Sequence, residues 1–231
     1  MYKKLMALLL LFSASVIPAD LAWAQIVCLI SPPINNGTIL ASQSQQNEAF
    51  QIKAQLDELR SSNQNEREKA RKAILEFSTK SADARLYIIK ALIRIAKVPN
   101  GNAELMKSNE RFWEWKESVD ILGIMKATEA IDVLMECLDC NNTAPGLAPE
   151  WYPATKAIIK IGTDAIPKLT EAMRHKSPSV RFMAAQALFA IGGDRSKDAL
   201  EKALLIEKDG RIAFMIKAML RDWGNSGKNI T

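Results

Sequence analysis

The chain reads as an all-α protein, an α-α superhelix of stacked helix pairs, and three observations predict this. A short pattern, Ala157-Ile158-x-x-Ile161-Gly162, returns as Ala187-Leu188-x-x-Ile191-Gly192 and, with Ser for Ala, as Ser118-Val119-x-x-Leu122-Gly123. Its spacing of roughly 30–40 residues marks repeated helical units rather than a single globular core. Each copy closes on glycine, a natural helix stop, because glycine enters the left-handed conformation without a Cβ clash. Elsewhere apolar residues fall near helical spacing, and no strand pattern is visible.

Taken in order, residues 1–24 have the composition of a secretory signal peptide. Lys3 and Lys4 give the positive start, Leu5 to Phe12 the apolar stretch, Pro18 the break, and Ala22-Trp23-Ala24 the small-x-small site. Cleavage is expected after Ala24. The apolar run falls short of the ~20 residues that a membrane-spanning helix needs, and Ser13, Ser15 and Asp20 interrupt its continuation. Val27 before Cys28 is a poor match to a lipoprotein site. The mature chain is therefore expected to be exported, periplasmic or secreted, without stable membrane insertion. Removing Lys3, Lys4 and Asp20 lowers the formal charge of +5 by one. The remaining charge is spread along the chain with no block of like sign, which argues against nucleic acid as a partner.

Residues 25–46 carry Pro32-Pro33, Asn35-Asn36-Gly37 and a Ser/Gln run, a composition that predicts a disordered leader. The repeat domain is assigned to 47–224. Phe50, Ile52, Leu56 and Leu59 start it, a polar turn covers Ser61 to Asn65, and Ala70, Ala73, Ile74 and Phe77 mark a second helix face. A third helix runs from about Ala82 to Lys97, before the loop Pro99-Asn100-Gly101-Asn102. Within it Arg85-Leu86 and Ala91-Leu92-x-x-Ile95-Ala96 line up with Arg181-Phe182 and Ala187-Leu188-x-x-Ile191-Gly192. The repeated helix is thus read at about 84–96, 111–123, 151–162 and 180–192, with a weaker version from Arg211 to Trp223. Second helices begin at Ala130-Ile131, Ala165-Ile166 and Ala199-Leu200. Ser177-Pro178 is a well-formed helix start, Ser capping free amides and Pro suiting the first turn. Small Ser118, Ala157 and Ala187 would let helices approach closely, while Ile158, Ile161, Leu188 and Ile191 form the stripe that a neighbour covers. Residues 225–231 are expected to be a flexible tail.

The segment Val180-Arg181-x-x-Ala184-Ala185-x-Ala187-Leu188-x-x-Ile191-Gly192-x-Asp194 resembles the short HEAT repeat of the kind named after phycobilisome lyases. Gly162-Thr163-Asp164-Ala165-Ile166-Pro167-x-Leu169 is similar to the turn and second helix of the same repeat. The resemblance is close from Trp151 to Leu204 and looser from Ser81 to Asp139. It implies the α-α superhelix and, usually, protein–protein binding, and it specifies fold rather than function. Some relatives act on bilin chromophores in the cytoplasm, a role that the export signal counts against.

Chemistry-bearing residues are few. Cys137 and Cys140 form Cys-Leu-Asp-Cys, which reads first as structural thiols, second as a local disulfide and third as a redox or metal pair. A zinc site would need two further ligands, and only Cys28 and His175 are left to offer, at the wrong spacing. His175 sits in Arg174-His175-Lys176, a solvated helix end where cations suit the dipole. No nucleophile motif or phosphate loop is present, so neither catalysis nor a cofactor nor a metal is expected. Among the aromatics, Phe112, Trp113 and Trp115 crowd one helix start, while Trp151 and Tyr152 open the next equivalent helix. Packing between units is the simpler reading. The functional reading is a partner-facing patch of Trp113, Trp115, Trp151, Tyr152 and Arg181, residue types favoured at binding hot spots. The loop from Asn141 to Pro149 is the longest interruption of the repeat, and Asn36-Gly-Thr, Asn141-Asn-Thr and Asn229-Ile-Thr match the glycosylation pattern. The expected function is an exported scaffold that binds a protein or peptide along its curved face. The alternatives are an assembly factor of a cell-envelope complex and a lyase-like or thiol-dependent enzyme using Cys137 and Cys140.

Overall fold

The computed structural model describes residues 36–98, 105, 108–140 and 152–223. The expected signal peptide, the tail, Trp151 and the Asn141–Pro149 loop lie outside the described residues. The chain divides into Met1–Glu48 and Ala49–Thr231. The described helices are α1 (Asn36–Glu58), α2 (Gln64–Lys80), α3 (Ala82–Ala96), α4 (Asn109–Ile124), α5 (Ile131–Met135), α6 (Pro153–Ile161), α7 (Ile166–Ala172), α8 (Pro178–Ile191), α9 (Gly193–Leu204) and α10 (Gly210–Trp223). Short 3-10 turns at Thr128–Ala130 and Thr163–Ala165 lead into α5 and α7. No strand occurs among the described residues. The fold is all-α.

Within Ala49–Thr231 the helices form two layers. One runs α2, α4, α6, α8, α10, each touching the next, and the other runs α3, α5, α7, α9 in the same way. Every unit leans on its neighbours, which is the arrangement of a solenoid. Local chemistry fixes the helix starts. Asn63, Ser81, Ser108 and Ser177 each accept a backbone N–H of the turn they precede, satisfying a donor that the helix itself leaves free. Buried faces follow helical spacing, as in Arg67, Ala70, Ile74 and Ser78 of α2. Helix α4 is buried almost all round, with Trp115, Ser118, Ile121 and Leu122 all in the core.

The glycines divide into two kinds. Gly162 (φ 89°) and Gly192 (φ 78°) end α6 and α8 as expected, with a positive φ that favours glycine, though at ψ −137° and −167° rather than in the left-handed helical conformation. Gly123 does not end α4. The helix continues to Ile124, and Lys126 (φ 49°) takes the left-handed position instead. Lys126 N–H donates to the Gly123 carbonyl at 3.1 Å and Ala127 N–H to the Leu122 carbonyl at 3.0 Å, the pair of bonds that closes a Schellman turn. Gly123 serves packing: a Cβ on it would lie 2.7 Å from the Ala157 Cα of α6. Ala157, one of the small residues expected to allow close approach with Ser118 and Ala187, thus meets Gly123 there, and all three are buried.

Two further expectations change. Helix α1 begins at Asn36, so 36–46 is helical where composition predicts a disordered leader, and Phe50 on it is exposed while Ile52, Leu56 and Leu59 are buried. Helix α3, aligned by sequence with the first-layer helices, sits in the second layer, touching α5; α2 occupies the first-layer place before α4. The reason is visible in side chains. Arg67 of α2 donates back to the Ser61 and Ser62 carbonyls at 2.7 and 3.1 Å, as Arg181 of α8 does to those of His175 and Lys176 at 3.0 and 3.2 Å. Arg85 of α3 instead reaches forward to the Met125 carbonyl at 2.7 Å.

Candidate functional site

The residues singled out from sequence separate into two places. On α4, Trp115 is fully buried, with 0% of its surface exposed, and packs against Phe112 with ring centroids 5.9 Å apart. It is a core residue and offers no surface to a partner. Trp113 is half-buried, lying 5.4 Å from Phe112, with the Arg67 guanidinium 4.1 Å above its ring and the Lys116 ammonium 5.5 Å away. Both tryptophans thus serve the packing of α4, because large rings gain most where they exclude water.

The same helix carries a row of carboxylates, Glu114, Glu117 and Asp120, one turn apart. Each is shared by two cations: Arg60 (2.7 Å) and Arg111 (3.3 Å) on Glu114, Arg67 and Lys116 (both 3.6 Å) on Glu117, Arg71 (2.8 Å) and Lys160 (2.5 Å) on Asp120. Burial pushes the Asp120 carboxyl up, but hydrogen bonds and charge from Lys160 and Arg71 outweigh it and hold the group below the usual aspartate range. With every carboxylate already neutralised, this row ties α2, α4 and α6 together rather than presenting an acid or base.

At the other end of the stack, Arg181 closes a second arrangement. Its guanidinium pairs with Glu207 through Nε at 2.8 Å and Nη2 at 2.9 Å, while Nη1 holds the carbonyls before α8. The Glu207 side chain is 2% exposed and also accepts the N–H groups of Lys208 and Asp209 at 2.9 and 2.8 Å. The Arg181 hydrogen bonds hold its carboxyl below the usual glutamate range, against burial. Arg181 is therefore spent on the protein and is a positioning residue, not a partner contact. It fixes the turn before α8 against the linker before α10.

Between those two helix starts lies an apolar cleft of about 650 Å³, within the usual size of ligand pockets. Tyr152, Phe182, Met183, Ile212, Phe214 and Met215 line it. Tyr152 is buried in its wall, whereas Phe214 stands 69% exposed at its mouth. Two charged residues, Asp209 and Arg211, also border it. Asp209 accepts the N–H groups of Arg211 and Ile212 at 2.9 and 3.3 Å, capping α10, and these bonds hold its carboxyl below the usual range. It is a cap, not a poised base. Of the five residues expected at a partner patch, Tyr152 alone lines the cleft, Arg181 shapes it, Trp113 and Trp115 lie on α4, and Trp151 is outside the described residues. Phe182, Phe214 and Met215 were missed, although Phe214 breaks the buried spacing of Ile212, Ile216 and Met219 and so signals an exposed aromatic.

Cys137 and Cys140 are joined in a disulfide with their Cα atoms 5.0 Å apart. Both are buried, and the Leu138 carbonyl between them accepts the Thr155 hydroxyl of α6 at 2.6 Å. Among the described residues no group of three His, Cys, Asp or Glu gathers to hold a metal, and no helix is long and apolar enough to cross a membrane.

Residues 152–220, from the start of α6 into α10, match the family model described as HEAT repeats. That stretch is thus similar to HEAT repeats, in keeping with the stacked helix pairs. Over 80 residues the chain is 35% identical to the bilin biosynthesis protein RpcF of Synechococcus sp. (strain WH8020), a match covering 35% of this chain and 36% of that protein. The matched part is thus about a third of the length of that curated relative.

Proposed function

We propose that this protein is an exported HEAT-like scaffold that binds a protein partner without catalysing a reaction. The observation that carries the reading is the cleft between α8 and α10, apolar along its walls and offering Phe214 to solvent. Exposed aromatics at the mouth of a preformed apolar cleft are the usual anchors of a protein interface. Among the described residues that line it, no nucleophile stands with a positioned base, and their one carboxylate, Asp209, is engaged as a helix cap. Export is supported by the Lys3-Lys4, Leu5–Phe12 and Ala22-Trp23-Ala24 pattern, and a disulfide between Cys137 and Cys140 suits an oxidising compartment.

The test uses the chain as bait against the exported fraction of its host, beside its Phe214→Ala variant. Phe214 is exposed, so the variant's stability should stay within about 0.5 kcal/mol of the parent. A partner held by the parent and released by the variant supports the reading; equal capture by both refutes it. The name of the bilin biosynthesis relative gives a second reading, in which the same apolar cleft holds an open-chain tetrapyrrole. Titration with biliverdin distinguishes the two: a saturable change in its visible absorption, lost in Phe214→Ala, favours the pigment.

A further inference from the structure

We infer that the second-layer face made by α3 and α5 is an interface between two copies of this chain, related by a two-fold axis. This face shares no residue with the lining of the cleft between α8 and α10. Its two helices carry opposite charge. From Ala82 to Lys97 the charged residues are Asp83, Arg85, Lys90, Arg94 and Lys97, four cations to one anion, a net +3. From Lys126 to Asp139 they are Lys126, Glu129, Asp132, Glu136 and Asp139, one cation to four anions, a net −3. Lys90, Arg94 and Lys97 stand exposed at helical spacing along α3, as do Glu129, Asp132 and Glu136 along the turn into α5 and α5 itself. Neighbouring elements change this little. Lys168 of α7 pairs with Asp132 at 2.9 Å, and Lys53 and Asp57 of α1, which border α3, cancel one another. Among the described residues no ion pair joins the two helices.

The face as a whole is neutral, so it is the segregation of sign that selects the occupant. A partner of one charge would be drawn to one helix and repelled by the other. A second copy turned about an axis between the two helices lays each α3 on the other copy's α5, so every pairing of opposite charge forms twice. An apolar centre lies in the same place. Arg85 donates to the Met125 carbonyl at 2.7 Å, which sets Leu86 and Ile124, their neighbours in sequence, at the junction of α3 with the turn into α5. Leu86, Ile124 and the adjoining Tyr87 are all large apolar side chains left exposed. Apolar groups at the middle with charged groups around them are the anatomy of a specific interface. Charges at such a rim act chiefly on the choice of partner and on salt dependence.

Sedimentation equilibrium of the full chain tests this. The parent is expected to show a monomer–dimer equilibrium whose dissociation constant rises about tenfold or more between about 0.02 and about 0.5 M salt. Two variants reverse one helix each: Lys90→Glu with Arg94→Glu, and Glu129→Lys with Glu136→Lys. All four residues are exposed, so both variants should fold, which circular dichroism and a chemical melt verify. Alone, each variant sets like charge against like at both contacts and should dimerise about tenfold or more weakly than the parent. Mixed in equal amounts, the two should dimerise again, because each reversed helix then meets its opposite in the other protein. A parent that stays monomeric at low salt overturns the inference, as does a dimer that either variant leaves intact. A mixture no more dimeric than its components overturns it too, since two-fold pairing requires that rescue.

Discussion

Arg181 shows how far a single residue can be read. Its position in the repeat marks it in the sequence, and arginine's record at interfaces makes it an attractive anchor. What the sequence does not display is that Glu207, in the linker of the following unit, comes within 2.8 Å of it. Arg181→Ala should cost about 1–3 kcal/mol, since it strips a buried carboxylate of its hydrogen bonds. The pH dependence follows from the sign of the shift. Glu207 has a folded value below its ordinary 4.5, so its contribution is complete above that pH and is lost as pH falls through the folded value. Urea melts of the parent from about pH 6 down to about pH 3 should therefore lose stability below ~4.5, and Arg181→Ala should lose less. An identical slope in both proteins would contradict the assignment. Asp120 contributes in the same direction, from below its ordinary 3.8, and should persist in the variant.

Among the helices, the legible features are those written locally. Caps at Ser177 and Ser81, the stops at Gly162 and Gly192, and the apolar spacing of α6 and α8 need only neighbouring residues to be understood. Gly123 was misread because two different demands, a left-handed turn and a close helix approach, both ask for a residue without Cβ. The consequence is measurable. Gly123→Ala should destabilise the fold by about 1–3 kcal/mol, because the obstacle is the Ala157 backbone, which cannot rotate away as a side chain could. A denaturant midpoint unchanged from the parent would show that α4 and α6 can part at little cost. The misplacement of α3 has a related origin: arginine followed six residues later by a small-aliphatic pair occurs in both layers, and the direction in which the arginine folds is a tertiary fact.

For the molecule as a whole, the stacking of helix pairs was evident from the recurring pattern, whereas the cleft was not, since α8 and α10 supply its walls from residues outside the repeat signature. The oxidation of Cys137 and Cys140 was likewise left open by spacing alone and depends on α5 ending at Met135. Closing so short a loop should contribute about 2 kcal/mol, and replacing both cysteines by Ser should remove it. Chemical melts with and without reductant check this: the parent should weaken on reduction, the variant should not respond, and partner capture should survive in both. The row of carboxylates on α4 has a broader implication. In α8 the corresponding positions are Met183, Gln186 and Phe189, which carry no charge. The units are consequently not interchangeable bricks. Moving α4 to the site of α8, by duplication or by design, would put three anions where the resident side chains carry no charge, so the order of the modules is written in their flanks.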